Sequence, residues 1–150
     1  MHTQTLWLLF FMAFISGAFM PLQAGINGLL AREISSTLTA TTISFVIGAI
    51  SLLLIMLYQR DTITLSSLKN LSWWHWTGGL MGAFFVFTAA FAAPRIGALL
   101  FMGLVLAGQL TGAVLLDQQG WAGFREAPIS LSKILGLMCI LAGVWLIRRG

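Results

Sequence analysis

Five long apolar stretches, parted by short polar breaks, set the order of hydrophobic and polar positions along the chain: residues 6–30, 37–57, 73–93, 96–116 and 131–147. A bilayer core about 30 Å thick takes roughly 20 mostly apolar residues in helix, and each stretch reaches or nearly reaches that length. They are too few and too continuously apolar for barrel strands with alternating faces, so the pattern predicts helices. The expected fold is all-α: a polytopic membrane protein of five transmembrane helices in one integral domain over residues 1–150. Only Pro94 and Arg95 part the third run from the fourth. That makes those helices antiparallel neighbours and puts Arg95 at a carbonyl end, where a cation is favoured. The break over residues 58–72 is longer and polar, and Ser72 is placed to cap the third helix.

Finer patterns run inside the spans. Gly78 and Gly82 form a GxxxG pair, followed at helical spacing by Ala89 and Ala93; Gly108 and Gly112 form another, preceded by Gly103; Gly17, Pro21, Ala24 and Gly28 share a face of the first helix. Small stripes let two backbones approach and gain dispersion contacts, the main attraction left among lipid tails, so these positions read as helix packing. Beside the small stripe lies a polar one, Ser16, Met20, Gln23 and Asn27, held within a narrow arc by its spacing. On the fourth helix Gln109 shares a face with Met102, Val105 and Ala113, and Asp117 stands where that helix emerges. Such amides either bond to neighbouring helices, contributing about 0.6 to 2 kcal/mol each, or line a polar cavity. Pro21 lacks a backbone donor and crowds the carbonyl four residues earlier, which predicts a kink. The kink serves either as a static bend or as a source of free carbonyls near Gly17.

Composition narrows the function classes. The chain is 59% hydrophobic and 8% charged, whereas soluble domains are about a quarter charged. A sequence pI of about 10.3 reflects 8 basic against 4 acidic residues, scattered without a basic stripe and interleaved aromatics, so no nucleic-acid partner is expected. Cys139 is the only cysteine, which excludes an intrachain disulfide and a thiolate cluster. Neither catalysis, a metal nor a cofactor is expected, because His2 and His75 lie near interfaces without nucleophile, base or ligand neighbours. The first run is read as a span and not a cleaved signal, since it lacks a basic leader and four more spans follow.

Charge then separates two sides. With the N-terminus on side A, that side carries Arg60, Lys69, Arg125 and Lys133, and side B carries Arg32, Arg95, Arg148 and Arg149. Short-loop Lys and Arg largely set orientation, so a four-to-four balance predicts insertion both ways. Two copies in opposite orientation would form an antiparallel, inverted homodimer, the architecture that many transporters encode in one longer chain. At 1.5 Å per residue, Gln23 lies roughly 7 to 8 Å from its span's midpoint toward side B, and Gln109 roughly 4 to 5 Å toward side A. In an inverted pair, Gln23 of one copy and Gln109 of the other reach nearly the same level, and they are expected to line a shared cavity. Trp7, Trp73, Trp74, Trp76 and Trp121 fall near side A and Trp145 near side B, as expected of interfacial anchors. Trp76 lies a little deeper, within reach of a ligand.

The runs PLQAGINGLL, WHWTGG, APRIGAL, AGQLTG and LLDQQGWAG, in that order and spacing over nearly the whole chain, resemble the short YdcZ-like family. That family is a five-helix branch of the bacterial drug/metabolite transporter superfamily. The resemblance implies a multi-pass protein of the bacterial inner (cytoplasmic) membrane, whose relatives occur as single chains, gene pairs or fused ten-helix proteins with inverted halves. It places Pro21, Gln23, Asn27, Gly78, Gly79, Pro94, Gly97, Gly108, Gln109, Asp117 and Gly120 at motif positions. Gln118 departs from the pattern where a histidine is expected, which puts an ion-coupling role of Asp117 in doubt.

The expected function is secondary-active transport of a small molecule by alternating access, in the lipid bilayer, as a dual-topology homodimer. Ser16, Met20, Gln23, Asn27, Gln109 and Trp76 are the candidate substrate-binding residues. Gly17, Pro21, Gly78, Gly82, Gly108 and Gly112 are the packing positions. No acidic or basic residue lies deep in a span. Proton-coupled export of cations usually needs one, so neutral, zwitterionic or anionic substrates are favoured. A dual-topology ion channel, or a membrane scaffold that moves nothing, are the alternatives.

Overall fold

The computed structural model describes residues 3–62, 64, 68–69 and 71–149. Among them are five long helices and no strand: α1 (Thr3–Glu33), α2 (Thr37–Gln59), α3 (Thr77–Ile96), α4 (Ala98–Gln119) and α5 (Leu131–Arg149), with short 3-10 turns at Trp73–Trp76 and Trp121–Gly123. Each long element, the third counted with its 3-10 turn, is long and apolar enough to cross a membrane. Contacts divide the chain into two compact units, one ending at Pro94 and one beginning at Arg95.

In the first unit, α1 and α2 make a helical hairpin closed by a tight turn over residues 34–36. Ser35 takes a positive φ of 57°, and the Ser36 N–H reaches back to the Ala31 carbonyl at 3.0 Å, which satisfies a helix-end acceptor. Ser36 then caps α2, its Oγ accepting the Thr39 N–H at 3.1 Å, a contact worth about 1 kcal/mol. At the far end of α2, Arg60 is left-handed and the Asp61 N–H bonds the Met56 carbonyl at 3.0 Å. The core is built of small side chains: Ala24, Asn27, Gly28 and Ala31 on α1, Ala40 and Thr41 on α2, and Val86, Ala89, Ala90 and Ala93 on α3 are buried. Large apolar side chains such as Phe14, Leu52 and Phe84 point outward. That inversion suits a molecule whose outer solvent is lipid and whose helices approach through small residues.

Two expected boundaries move. Residues 73–76 are a 3-10 turn and not the first turn of an α-helix. The Ser72 carbonyl takes both the His75 backbone N–H at 3.1 Å and the His75 ring Nδ1–H at 3.0 Å, and Thr77 Oγ1 donates to the Trp74 carbonyl at 2.7 Å. Ser72 makes no side-chain cap bond. Pro94 and Arg95 are not the connection either; α3 runs through both to Ile96, and the helix breaks at Gly97, with φ 87° and ψ 144°. Proline near a helix end forfeits one hydrogen bond but keeps a helical φ, whereas the Gly97 conformation is open almost only to glycine. Pro21 likewise sits inside a continuous α1.

In the second unit, α4 and α5 pack side by side, and a Cβ on Gly103 would lie 3.1 Å from Val144 Cγ2. Their link is tied from three directions. The Ala127 N–H bonds the Asp117 carbonyl at 2.7 Å, Lys133 Nζ donates to the Ala127 carbonyl at 3.1 Å, and the same Nζ lies 3.8 Å from Asp117 Oδ2. Ser130 caps α5, accepting the Lys133 N–H at 3.3 Å.

Candidate functional site

The polar stripe of α1 divides by fate. Asn27, 5% exposed, turns into the hairpin, and its Nδ2 donates to Ser44 Oγ of α2 at 3.2 Å. Gln23, one turn earlier, stays exposed and lines two adjacent cavities. One, of about 280 Å³, includes Ser44, Phe45 and Val86; the other, of about 330 Å³, includes Asn27, Ser44 and Ile47. Ser16 is committed elsewhere, since its Oγ donates to the Met12 carbonyl at 2.8 Å. Met20 is half-buried and lines none of these cavities. The geometry therefore gathers Gln23 and Asn27 with a residue the stripe did not reveal, Ser44. The signal for it lay in the turn: Asn27 and Ser44 stand nearly equally far to either side of residues 34–36, and an antiparallel hairpin brings such positions level.

The remaining candidates lie apart from this cluster or in the second unit. Trp76 is 61% exposed in its 3-10 turn, next to a stacked pair, Trp74 on His75 with ring centres 3.8 Å apart. Gln109 is exposed on α4. Asp117, 37% exposed, faces Lys133.

The small-residue positions also sort themselves. A Cβ on Gly17, Gly78, Gly108 or Gly112 would meet no described atom within 4 Å. Close approach inside each unit falls instead on Gly28, whose missing Cβ makes room for Pro94 Cγ at 2.6 Å and the Ala90 carbonyl oxygen at 3.3 Å, and on Gly103. Gly82 leaves ordinary space for the Phe45 ring at 3.7 Å. Pro94 cannot donate to the Ala90 carbonyl, so the backbone oxygen freed on α3 is the one that faces the bare surface of Gly28.

The groups that line the α1–α2 cavities can hydrogen-bond a solute. Their linings hold an amide pair, a hydroxyl and apolar groups, with no Asp, Glu, Lys, Arg or His. Among the described residues no three His, Cys, Asp or Glu gather as a metal site.

Comparison with known proteins agrees with the membrane architecture. The family described as "Putative inner membrane exporter, YdcZ" matches residues 8–146. The "Inner membrane protein YdcZ" of Escherichia coli (strain K12) is 28% identical over 131 residues, covering 82% of this chain and 85% of that protein. No solved structure matches.

Proposed function

The chain belongs to the YdcZ family of inner-membrane exporters, and from that membership we propose a secondary-active carrier for small molecules, working by alternating access. It is a multi-pass inner-membrane protein of the transporter class, with five membrane-spanning helices. The observation that carries the finer reading is the uncharged polar cluster of Gln23, Asn27 and Ser44 at cavities in the α1–α2 hairpin. Amides and a hydroxyl bind by hydrogen bonds that water can replace, so a substrate is held weakly enough to leave again. With no carboxylate in the linings, a cation would lack a counter-charge, which disfavours cationic substrates.

In this reading the functional unit is a pair of inverted copies, each one integral domain, with Gln23 of one at the level of Gln109 of the other. The four-to-four distribution of Lys and Arg supports it, since neither orientation is preferred. The test uses topology. Lysines added beside Arg95 should bias insertion one way, and lysines added in the loop over residues 58–72 the other. Each variant alone should lose solute uptake or efflux in proteoliposomes, and co-expression should restore it. Full transport by a uniformly oriented variant would rule out the inverted pair.

A further inference from the structure

A groove of about 740 Å³ lies between α2 and α3 in the first unit, walled by Leu38, Phe45, Val46, Leu80, Phe84 and Phe87 among others. Thr41 and Thr42 also face it, but their hydroxyls are spent on the carbonyls of Thr37 and Leu38, each at 2.9 Å. An occupant gains dispersion contacts there and finds no free hydroxyl donor on these threonines. Next to this groove is the 280 Å³ pocket of Gln23 and Ser44, and the two share Phe45 and Ala49 as walls.

In the smaller pocket the polar capacity is unspent. Ser44 Oγ accepts the Asn27 amide and keeps its own proton to donate, and the Gln23 amide makes no side-chain hydrogen bond among the described residues. Neither lining holds an Asp, Glu, Lys, Arg or His. Phe45 stands at the join, with its ring in the space that Gly82 leaves open on α3.

We propose that groove and pocket are the two ends of one binding site for an uncharged amphipathic small molecule. Its apolar body fills the α2–α3 groove, its hydrogen-bonding head meets Gln23 and Ser44, and Phe45 is the side chain that must turn for both ends to be occupied. This deepens, and rests on, the reading of Gln23 as part of a carrier's site. A mostly apolar cavity of several hundred cubic ångströms with a few convergent polar groups is the usual form of a small-molecule site. Polarity decides its class of ligand. A charged head would surrender hydration with no counter-charge to replace it, and a purely apolar molecule would leave Gln23 and Ser44 without partners once water is displaced.

Binding can be read apart from flux. The full chain in phospholipid nanodiscs is irradiated with 4-(hydroxymethyl)benzophenone, with benzophenone and 4-carboxybenzophenone as parallel probes, and adducts are mapped by mass spectrometry. Hydroxymethyl adducts should saturate and concentrate on α2 and α3 around Phe45 and Phe84. Ala83→Trp and, on the opposite wall, Val46→Trp should each lower them at least about fivefold, roughly 1 kcal/mol of binding. Gln23→Leu with Ser44→Ala should weaken labelling by the alcohol but not by benzophenone, and the carboxylate should label least. Adducts spread over all five helices without saturation, or unmoved by both tryptophan variants in folded protein, would overturn the site. Saturable labelling of the groove with no solute flux in liposomes would retain this site and sink the carrier. Flux with dispersed labelling would do the reverse.

Discussion

A Cβ added at Gly28 would lie 2.6 Å from Pro94 Cγ and 3.3 Å from the Ala90 carbonyl oxygen, and backbone yields less than the tip of a flexible side chain. Gly28→Ala is therefore expected to destabilise by about 1 to 3 kcal/mol, as overpacking does, measured as lost thermal stability in detergent. Gly17→Ala meets open space within the chain and should be neutral or gain up to about 1 kcal/mol from helix propensity. A loss there in the assembled protein would mark that face as an interface. The two amides should part in the same way. Asn27→Ala breaks a part-buried bond to Ser44 and should cost roughly 1 to 2 kcal/mol of stability, whereas Gln23→Leu should leave the melt unchanged and lower transport. Sequence spacing placed both amides on one arc but not their different fates. That difference depends on which flank of the arc α2 covers, and hence on the rotation of the hairpin.

At the scale of elements, lengths and order were legible because lipid demands continuous apolar runs, and the five expected spans differ from α1 to α5 mainly at their ends. What spacing hid was the site of the third turn. Proline looked like the stop, yet the helix breaks at Gly97 with φ 87°. Gly97→Ala should cost about 1 to 3 kcal/mol through backbone strain, read as a lowered melting temperature, while Pro94→Ala should return a donor to the Ala90 carbonyl. At the α4 exit, the Asp117 and Lys133 side chains are 37% and 33% exposed and 3.8 Å apart, and pairs so exposed contribute well under 1 kcal/mol. Asp117→Asn should thus leave stability nearly unchanged, because the backbone bond from Ala127 persists. If transport fell while the melt held, the carboxylate would be working on solute or ion and not on the fold.

At the scale of the whole molecule, a membrane protein could be read from composition alone, since a chain with so few charges has only a membrane to live in, while the inner-membrane placement came with the resemblance carried by the motif runs. The cavities could not, because their walls are assembled from three helices whose mutual rotation leaves no periodic mark. Proline within α1 adds one consequence. Pro21 has no hydrogen to give, so the Gly17 carbonyl, close to the middle of a 31-residue helix, loses the donor one turn above it. Hydrocarbon cannot replace that donor, so this stretch of α1 must be wetted or covered by protein. A carbon-13 label on the Gly17 carbonyl would report which: its infrared band should shift to lower frequency against water and return upward when a ligand or a second subunit dries that flank.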